Sequence, residues 1–438
     1  MCVFVFFAIM DVDDLSLSFE NVNYVPVSGF DYDFSKPLIQ LKSVTKPYQS
    51  PKNYLKGCKW STDGSCFLTN SEDKVLRIYN LPNEIYSTPL DEIKCSADEQ
   101  QSAISPVLEM KSNELIYDYA WFPMMNSLDP TTCFFLTTTR DNPIHLWDAY
   151  TGKIAAVYKS YNHLDEIVSA YSVCFSPDGE KIYAGFKKGI RVFNTRNPGR
   201  DCEERLTYVD GGGQHGIISC ITVNPVRPEI YAAGSYSKQI GLYEEPTGEP
   251  ICILEGQRGG LTHLMFSPDG TRLYSGARRD GEILCWDMRK LSTILFTMKR
   301  TVTTHQRVYF DISSDGNLLV SGSDDGMVIF WNTNQLDNKQ NGYLEPIKKT
   351  EAHNESVNGV SLHPTLPLMV TSSGQRRLPE TTESDDEDHH FVSSVNFDNS
   401  AKIWMIPIVS ITEDDEVDNP EVTNDFKENE STDDIKNS

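Results

Sequence analysis

Most signatures of enzyme chemistry are missing from this sequence. It has no Walker-type phosphate loop, no His-Glu-x-x-His and no Gly-x-Ser-x-Gly. P-loop hydrolysis, zinc proteolysis and nucleophile-elbow catalysis therefore have no local anchor. Ten cysteines occur without a Cys-x-x-Cys pair or a Cys/His ligand cluster, which argues against a zinc module or a disulfide framework. Cys58, Cys66, Cys133, Cys174, Cys220 and Cys285 fall where strands are expected, as small apolar fillers, and this usage fits a reducing compartment. The apolar opening, Met1 to Met10, is too short to span a bilayer and lacks a basic flank. We read it as an upstream extension, with Met10 as the initiator and no membrane role. Basic residues are outnumbered, 39 against 63 acids, for a net charge of −24. The imbalance is concentrated at the ends. Residues 1–34 hold six acids and no Lys or Arg, and residues 375–438 hold eighteen acids against five bases. The acidity thus argues against neither a local basic patch nor an anionic ligand on the middle of the chain.

What is present is a repeat. In Leu261 to Asp287, a strand from Leu261 to Phe266 breaks at Ser267-Pro268-Asp269-Gly270, which has turn chemistry. A second strand follows from Arg272 to Gly276, then a loop, and a third from Glu282 to Asp287 that ends on Trp-Asp. That is one unit of a WD repeat, the module of β-propeller blades. Copies close on Tyr79, Trp147, Phe193, Tyr243, Trp286, Trp331 and Trp404, spaced by 68, 46, 50, 43, 45 and 73 residues. Ser-x-Asp-Gly turns recur at 61–64, 176–179 and 313–316, while two units use Asn224-Pro225 and His363-Pro364 instead. The fold class predicted is all-β, a closed seven-bladed WD-repeat propeller with disordered acidic termini.

Three regions follow: a disordered acidic segment 1–35, the propeller 36–407 with an acidic loop insertion 378–397, and a disordered tail 408–438. The seventh unit lacks an outer strand after Pro407. The segment Lys36 to Tyr48 is expected to supply it, because an unclosed ring would leave a sheet edge unpaired. Each blade of this kind is fixed by a buried network. An Asp six residues before the closing aromatic meets a His ahead of the first strand, a Ser or Thr in the second and the closing Trp. Asp73, Asp141, Asp280, Asp325 and Asp398 stand at that offset. Blade seven has the full set in His353, Thr371, Asp398 and Trp404, and blade six offers His305, Ser321, Asp325 and Trp331. These histidines are read as satisfied structural groups.

Units three and four place Lys187 and Ser237 at the Asp offset. Lys187, Lys188, Lys238, Arg258, Arg278 and Arg279 gather in the loops over blades three to five, with Phe186 and Tyr236 between them. By the repeat's geometry these loops share one rim. Cations beside flat rings suit phosphate and splayed bases, so the rim is the candidate site for single-stranded RNA. Other motifs carry nothing. Gly211 to Gly216 formally matches G-x-G-x-x-G but precedes a strand, so no helix terminus is there to hold phosphate. Asn162 to Glu166 puts a His near carboxylates without a nucleophile. A non-enzymatic protein is expected, with no cofactor and no metal.

Several stretches are more specific than the repeat. They include Leu55 to Pro82, Arg140 to Glu166, Asn197 to Cys202, Gly216 to Ile221, Gly259 to Arg289, Val302 to Asp311 and Asn358 to Arg376. Over roughly residues 50–378 the chain resembles the telomerase Cajal body protein family, WD-repeat proteins of small Cajal body ribonucleoproteins. The resemblance implies recognition of the Cajal-body box in H/ACA-type small Cajal body RNAs, and in telomerase RNA where it is of that type. It implies residence in the nucleus and Cajal body, with some in the cytoplasm, and partners in the dyskerin core, coilin and the motor-neuron survival protein. A monomer is expected. Within the matching region Arg307 joins the RNA-contacting candidates, and Tyr54, Lys56, Lys59, Trp60 and Phe186 form a second rank. The family pattern has asparagine where this chain has His305. A protein-interaction scaffold such as a ubiquitin-ligase substrate receptor is the alternative reading.

Overall fold

The computed structural model describes residues 29–87, 103–335, 339–340, 342–377 and 397–409. Seven sheets form a ring of blades, each built on four antiparallel strands, and that of blade five is extended to six by the short strands Lys339–Gln340 and Tyr343–Leu344. The inner strands are Leu55–Trp60, Ile116–Trp121, Ser172–Phe175, Ile218–Val223, Leu261–Phe266, Phe310–Ile312 and Val357–Leu362. Blade seven takes its outer strand from the N-terminal side of the chain. Ile39–Val44 pairs antiparallel with Ala401–Met405, so no edge is left open there. The acidic loop insertion, the tail beyond Val409 and the apolar opening lie outside the described residues.

The core lies between neighbouring sheets. The second strands read as unbroken apolar and small residues, as in Leu368–Ser373, because both faces are covered by adjacent blades. Trp286, Trp331, Tyr79, Tyr158, Phe67 and Phe135 are wholly buried there. Each large apolar side chain so enclosed contributes about 1.5–3 kcal/mol.

The Ser-x-Asp-Gly turns are built alike. In the first, Asp63 accepts from Ser61 Oγ at 2.7 Å and Ser65 N at 3.0 Å, and Gly64 takes φ +75°. The Asn224-Pro225 and His363-Pro364 turns lock blades together. Asn224 donates its amide to Gly270 O at 2.9 Å and accepts from Val226 N and Arg227 N at 3.1 and 3.0 Å. His363 repeats this with an imidazole. Its Nε2 donates to Gly64 O at 2.9 Å, and its Nδ1 accepts from Thr365 N and Leu366 N at 3.2 and 3.0 Å. Each side chain therefore caps its own turn and grips the turn of the next blade.

Three expectations need revision. The segment before residue 36 is not wholly apart from the ring. Phe30, Tyr32 and Phe34 alternate with Asp31 and Asp33, so the rings share one side at 5.9 Å spacings, and Phe34 packs on Phe330 at 5.3 Å. Asp33 N and Val409 N pair with Pro407 O and Asp31 O, carrying the ordered ring from Gly29 to Val409. Cys133 lies just before its strand, Phe134–Thr139, buried but outside the ladder.

Candidate nucleic-acid interface

In an antiparallel blade, the loops joining second to third strand emerge at the same end as those leading into each inner strand. These loops form one face, here called upper. Lys187 and Lys188 stand exposed in the turn between Lys181–Phe186 and Gly189–Asn194. Lys238 is exposed at the matching turn of blade four and Arg279 at that of blade five. Lys188, Lys238 and Arg279 hold left-handed backbone, φ 60°, 71° and 51°, which a glycine adopts at lower cost, as Gly326 does in blade six. Cations therefore occupy positions where the backbone alone would favour glycine. Among the described residues, Lys187, Lys188, Lys238, Arg278 and Arg279 make no ion pair, whereas Arg258 reaches Glu282 at 3.8 Å.

Aromatic rings lie inside this arc of charge. The guanidinium of Arg278 sits 4.1 Å over the Tyr236 ring, and Lys188 Nζ lies 4.5 Å over Tyr208. Tyr236 is half-buried and tied through its N–H to Ile217 O at 2.9 Å. Two rings that the motif pattern did not single out, Tyr117 and Tyr171, stack with centroids 5.5 Å apart and planes at 20°. The Tyr117 hydroxyl is held above the usual phenol value, first by partial burial and then by the neighbouring Tyr171. Their sequence signal was position alone: both stand at the start of an inner strand, beside the central axis.

Other candidates serve the ring instead. Arg307 is drawn into the channel, where Nη1 meets Asp118 at 2.9 Å and Tyr309 Oη at 3.0 Å, and Nη2 donates to Ser219 O at 2.8 Å. That ties blade six to blades two and four, and leaves little of the guanidinium for a ligand. Lys59 Nζ donates to Tyr119 O at 2.7 Å between the rings of Tyr119 and Tyr309, and burial lowers its pKa. Trp60, Tyr54 and Phe186 are buried, the last beneath Arg191 at 4.9 Å. Lys56 is paired with Glu72 at 2.7 Å. Strand alternation turns these side chains inward, a consequence of register that a residue-type pattern does not carry. Trp60 and Phe186 pack in the cores between blades, while Arg307, Asp118 and Lys59 come together from blades six, two and one and give the upper mouth a floor.

The blade networks divide in the same way. In blade seven His353 Nε2 lies 2.7 Å from Thr371 Oγ1, which also accepts from Trp404 Nε1 at 2.8 Å, and Asp398 stands 3.4 Å from His353 Nδ1. Burial lowers the His353 pKa despite that carboxylate. In blade six His305 is exposed, and Arg300 Nη1 takes its place on Ser321 Oγ at 2.7 Å, while Asp325 accepts from Thr301 Oγ1 at 3.3 Å. Gln257 substitutes in blade five, beside Ser275, Trp286 and Asp280. Tyr48 does so in blade one, where Asp73 pairs with Arg77 at 2.6 Å. Asp141 stays exposed, its carboxylate beside Arg140 and its N–H bonded to Ser169 Oγ at 2.6 Å, outside any such network.

Three segments, 42–80, 248–287 and 296–332, match the WD domain, G-beta repeat model. The chain is 48% identical over 361 residues to human telomerase Cajal body protein 1, covering 82% of this chain and 64% of that protein. It is 34% identical over 341 residues to the Drosophila melanogaster homolog, covering 76% and 59%. A fission yeast protein, the guanine nucleotide-binding protein negative regulator 1 of Schizosaccharomyces pombe, is 31% identical over 363 residues, covering 79% and 85%. The chain thus spans somewhat less than two thirds of its animal relatives' length. By repeat, ring and kinship, the chain belongs to the telomerase Cajal body protein family of WD-repeat propellers.

Proposed function

We propose that this propeller is a non-enzymatic RNA-binding scaffold that recognises the Cajal-body box in the loop of H/ACA-type small Cajal body RNAs. Telomerase RNA belongs among its ligands where the host's is of that type. Through this binding the protein directs the particle to Cajal bodies in the nucleus. The dyskerin core, coilin and the motor-neuron survival protein are the partners this reading names.

The observation that carries it is the upper face. Five cations that make no ion pair among the described residues arch over blades three to five, beside a group of half-buried tyrosines. Unpaired charge can neutralise phosphates, and flat rings accept unstacked bases. The scaffold alternative has the opposite face in its favour. There a groove of about 720 Å3 between blades one and two is lined by Tyr86, Val107, Leu128 and Tyr150, all well exposed.

Crosslinking in cells, immunoprecipitation of the full chain and sequencing of attached RNA separate the two. Enrichment of H/ACA guide RNAs, with reads ending at the terminal loop, supports RNA recognition. A library no different from the untagged control, alongside co-purified ligase subunits, supports the scaffold reading.

A further inference from the structure

The upper mouth of the channel contains more than a basic rim. Five inner strands carry a bulge after their first residue, at Leu55/Gly57, Ile116/Asp118, Ile218/Cys220, Leu261/His263 and Val357/Gly359. A bulge leaves one residue unpaired and re-aims its side chain. In blade two that residue is Tyr117. Its ring is set against Tyr171, which precedes the inner strand of blade three and is fixed by its N–H to Gly185 O at 2.8 Å. On the neighbouring side Tyr236 lies under Arg278. Their two turns, one in blade four and one in blade five, meet at Gly260, whose carbonyl accepts from Arg278 N at 3.0 Å and where a Cβ would meet Tyr236 O at 2.7 Å.

Below these rings the Arg307–Asp118 tie and Lys59 fill the axis, so a ligand meets a shallow aromatic cup. The hydroxyls of Tyr117, Tyr171 and Tyr236 make no hydrogen bond among the described residues. Several buried tyrosine hydroxyls are engaged, Tyr48 and Tyr79 with each other at 2.9 Å and Tyr243 with Gln214 at 2.8 Å, whereas those of Tyr119 and Tyr274 are enclosed without a partner among the described residues. Three half-buried rings with uncommitted hydroxyls, flanked over blades three to five by cations that make no ion pair among the described residues, have the chemistry of a base-stacking platform with phosphate contacts outside it.

We infer that Tyr117, Tyr171 and the Tyr236–Arg278 pair form a nucleobase cup, into which one or two unpaired bases of the RNA loop stack while Lys187, Lys188, Lys238 and Arg279 hold the flanking phosphates. The inference rests on the RNA reading above and adds where and how bases are read.

The test uses the full chain and an H/ACA terminal hairpin with 2-aminopurine at each loop purine in turn. Stacking on tyrosine quenches that fluorophore, which gives a readout separate from affinity. Tyr117→Ala and Tyr171→Ala are expected to weaken binding roughly tenfold or more each. They should restore fluorescence at one loop position and leave the salt dependence unchanged. Tyr117→Phe and Tyr171→Phe keep the ring and should retain quenching, which guards against loss through misfolding. Wild-type affinity and quenching in both alanine variants would overturn the cup, while weakened binding by Lys187→Glu/Lys188→Glu would leave the RNA reading standing. Failure of the wild type to bind any hairpin would overturn both. A phosphopeptide that binds the wild type and not Tyr171→Ala, with no RNA quenching, would overturn the cup as a base site.

Discussion

His363→Asn exchanges one blade lock for the other that this chain already uses. Asn224 makes the same three bonds with an amide that His363 makes with an imidazole. The imidazole alone can titrate. Two backbone N–H groups point at Nδ1, so a proton there would face two donors, and the ring is packed edge-on to Trp60 at 4.9 Å. Burial lowers the His363 pKa from 6.5 to about 4. The unfolded chain thus binds a proton between those values that the folded chain refuses. Stability from this site is complete above pH 6.5 and is lost as pH falls towards 4, by about 3 kcal/mol in all. Asparagine fills less space, so His363→Asn should cost about 1 kcal/mol at pH 7.5. Below about pH 6 the order should reverse, with the variant the more stable, since the imidazole penalty there passes about 1 kcal/mol and grows to about 2 kcal/mol at pH 5 and about 3 near pH 4. Urea denaturation from pH 7.5 to 4 measures both. His353 and His263, whose pKa values are also lowered by burial, titrate in both proteins and cancel in the difference. Parallel profiles, offset by the same amount at every pH, would refute the reasoning.

Other consequences are checked by similar means. Gly64→Ala forces a side chain into φ +75° and towards the His363 ring, 2.3 Å from the new Cβ, and should lower stability by about 2–4 kcal/mol in the same denaturation assay. Thr371→Val strands the Trp404 indole N–H and the His353 imidazole, and should cost about 1–3 kcal/mol. Arg307→Met leaves Asp118 buried beside an apolar chain and should cost about 3–5 kcal/mol, with much of it recovered when Asp118→Asn is added. Removal of residues 1–47 exposes the Ala401–Met405 edge, and gel filtration should show aggregation in place of a monomer peak.

The ring was legible because its signals are local. Closing aromatics, Ser-x-Asp-Gly turns and an unpaired seventh blade are each readable within a few residues, and Ile39–Val44 fell within the segment expected to close the ring. Facing was harder to read. Phe186, Trp60 and Arg307 have the residue types of a binding surface, yet register and a loop that dips into the channel turn them inward. Tyr117 was missed for the complementary reason. A bulge, invisible to two-residue periodicity, decides where it points. His305 has the type and spacing of a network member, whereas Arg300 at the end of the preceding strand reaches Ser321 first.

The most direct test of RNA recognition on the upper face is the salt dependence of affinity for a terminal-loop hairpin, measured for the wild type and for Lys187→Glu/Lys188→Glu/Lys238→Glu/Arg279→Glu. If those four cations neutralise phosphates, affinity falls at every salt concentration and the slope of log K against log salt shrinks by about 3 in magnitude. Equal slopes and equal affinities would place the RNA elsewhere on the propeller, or off it altogether.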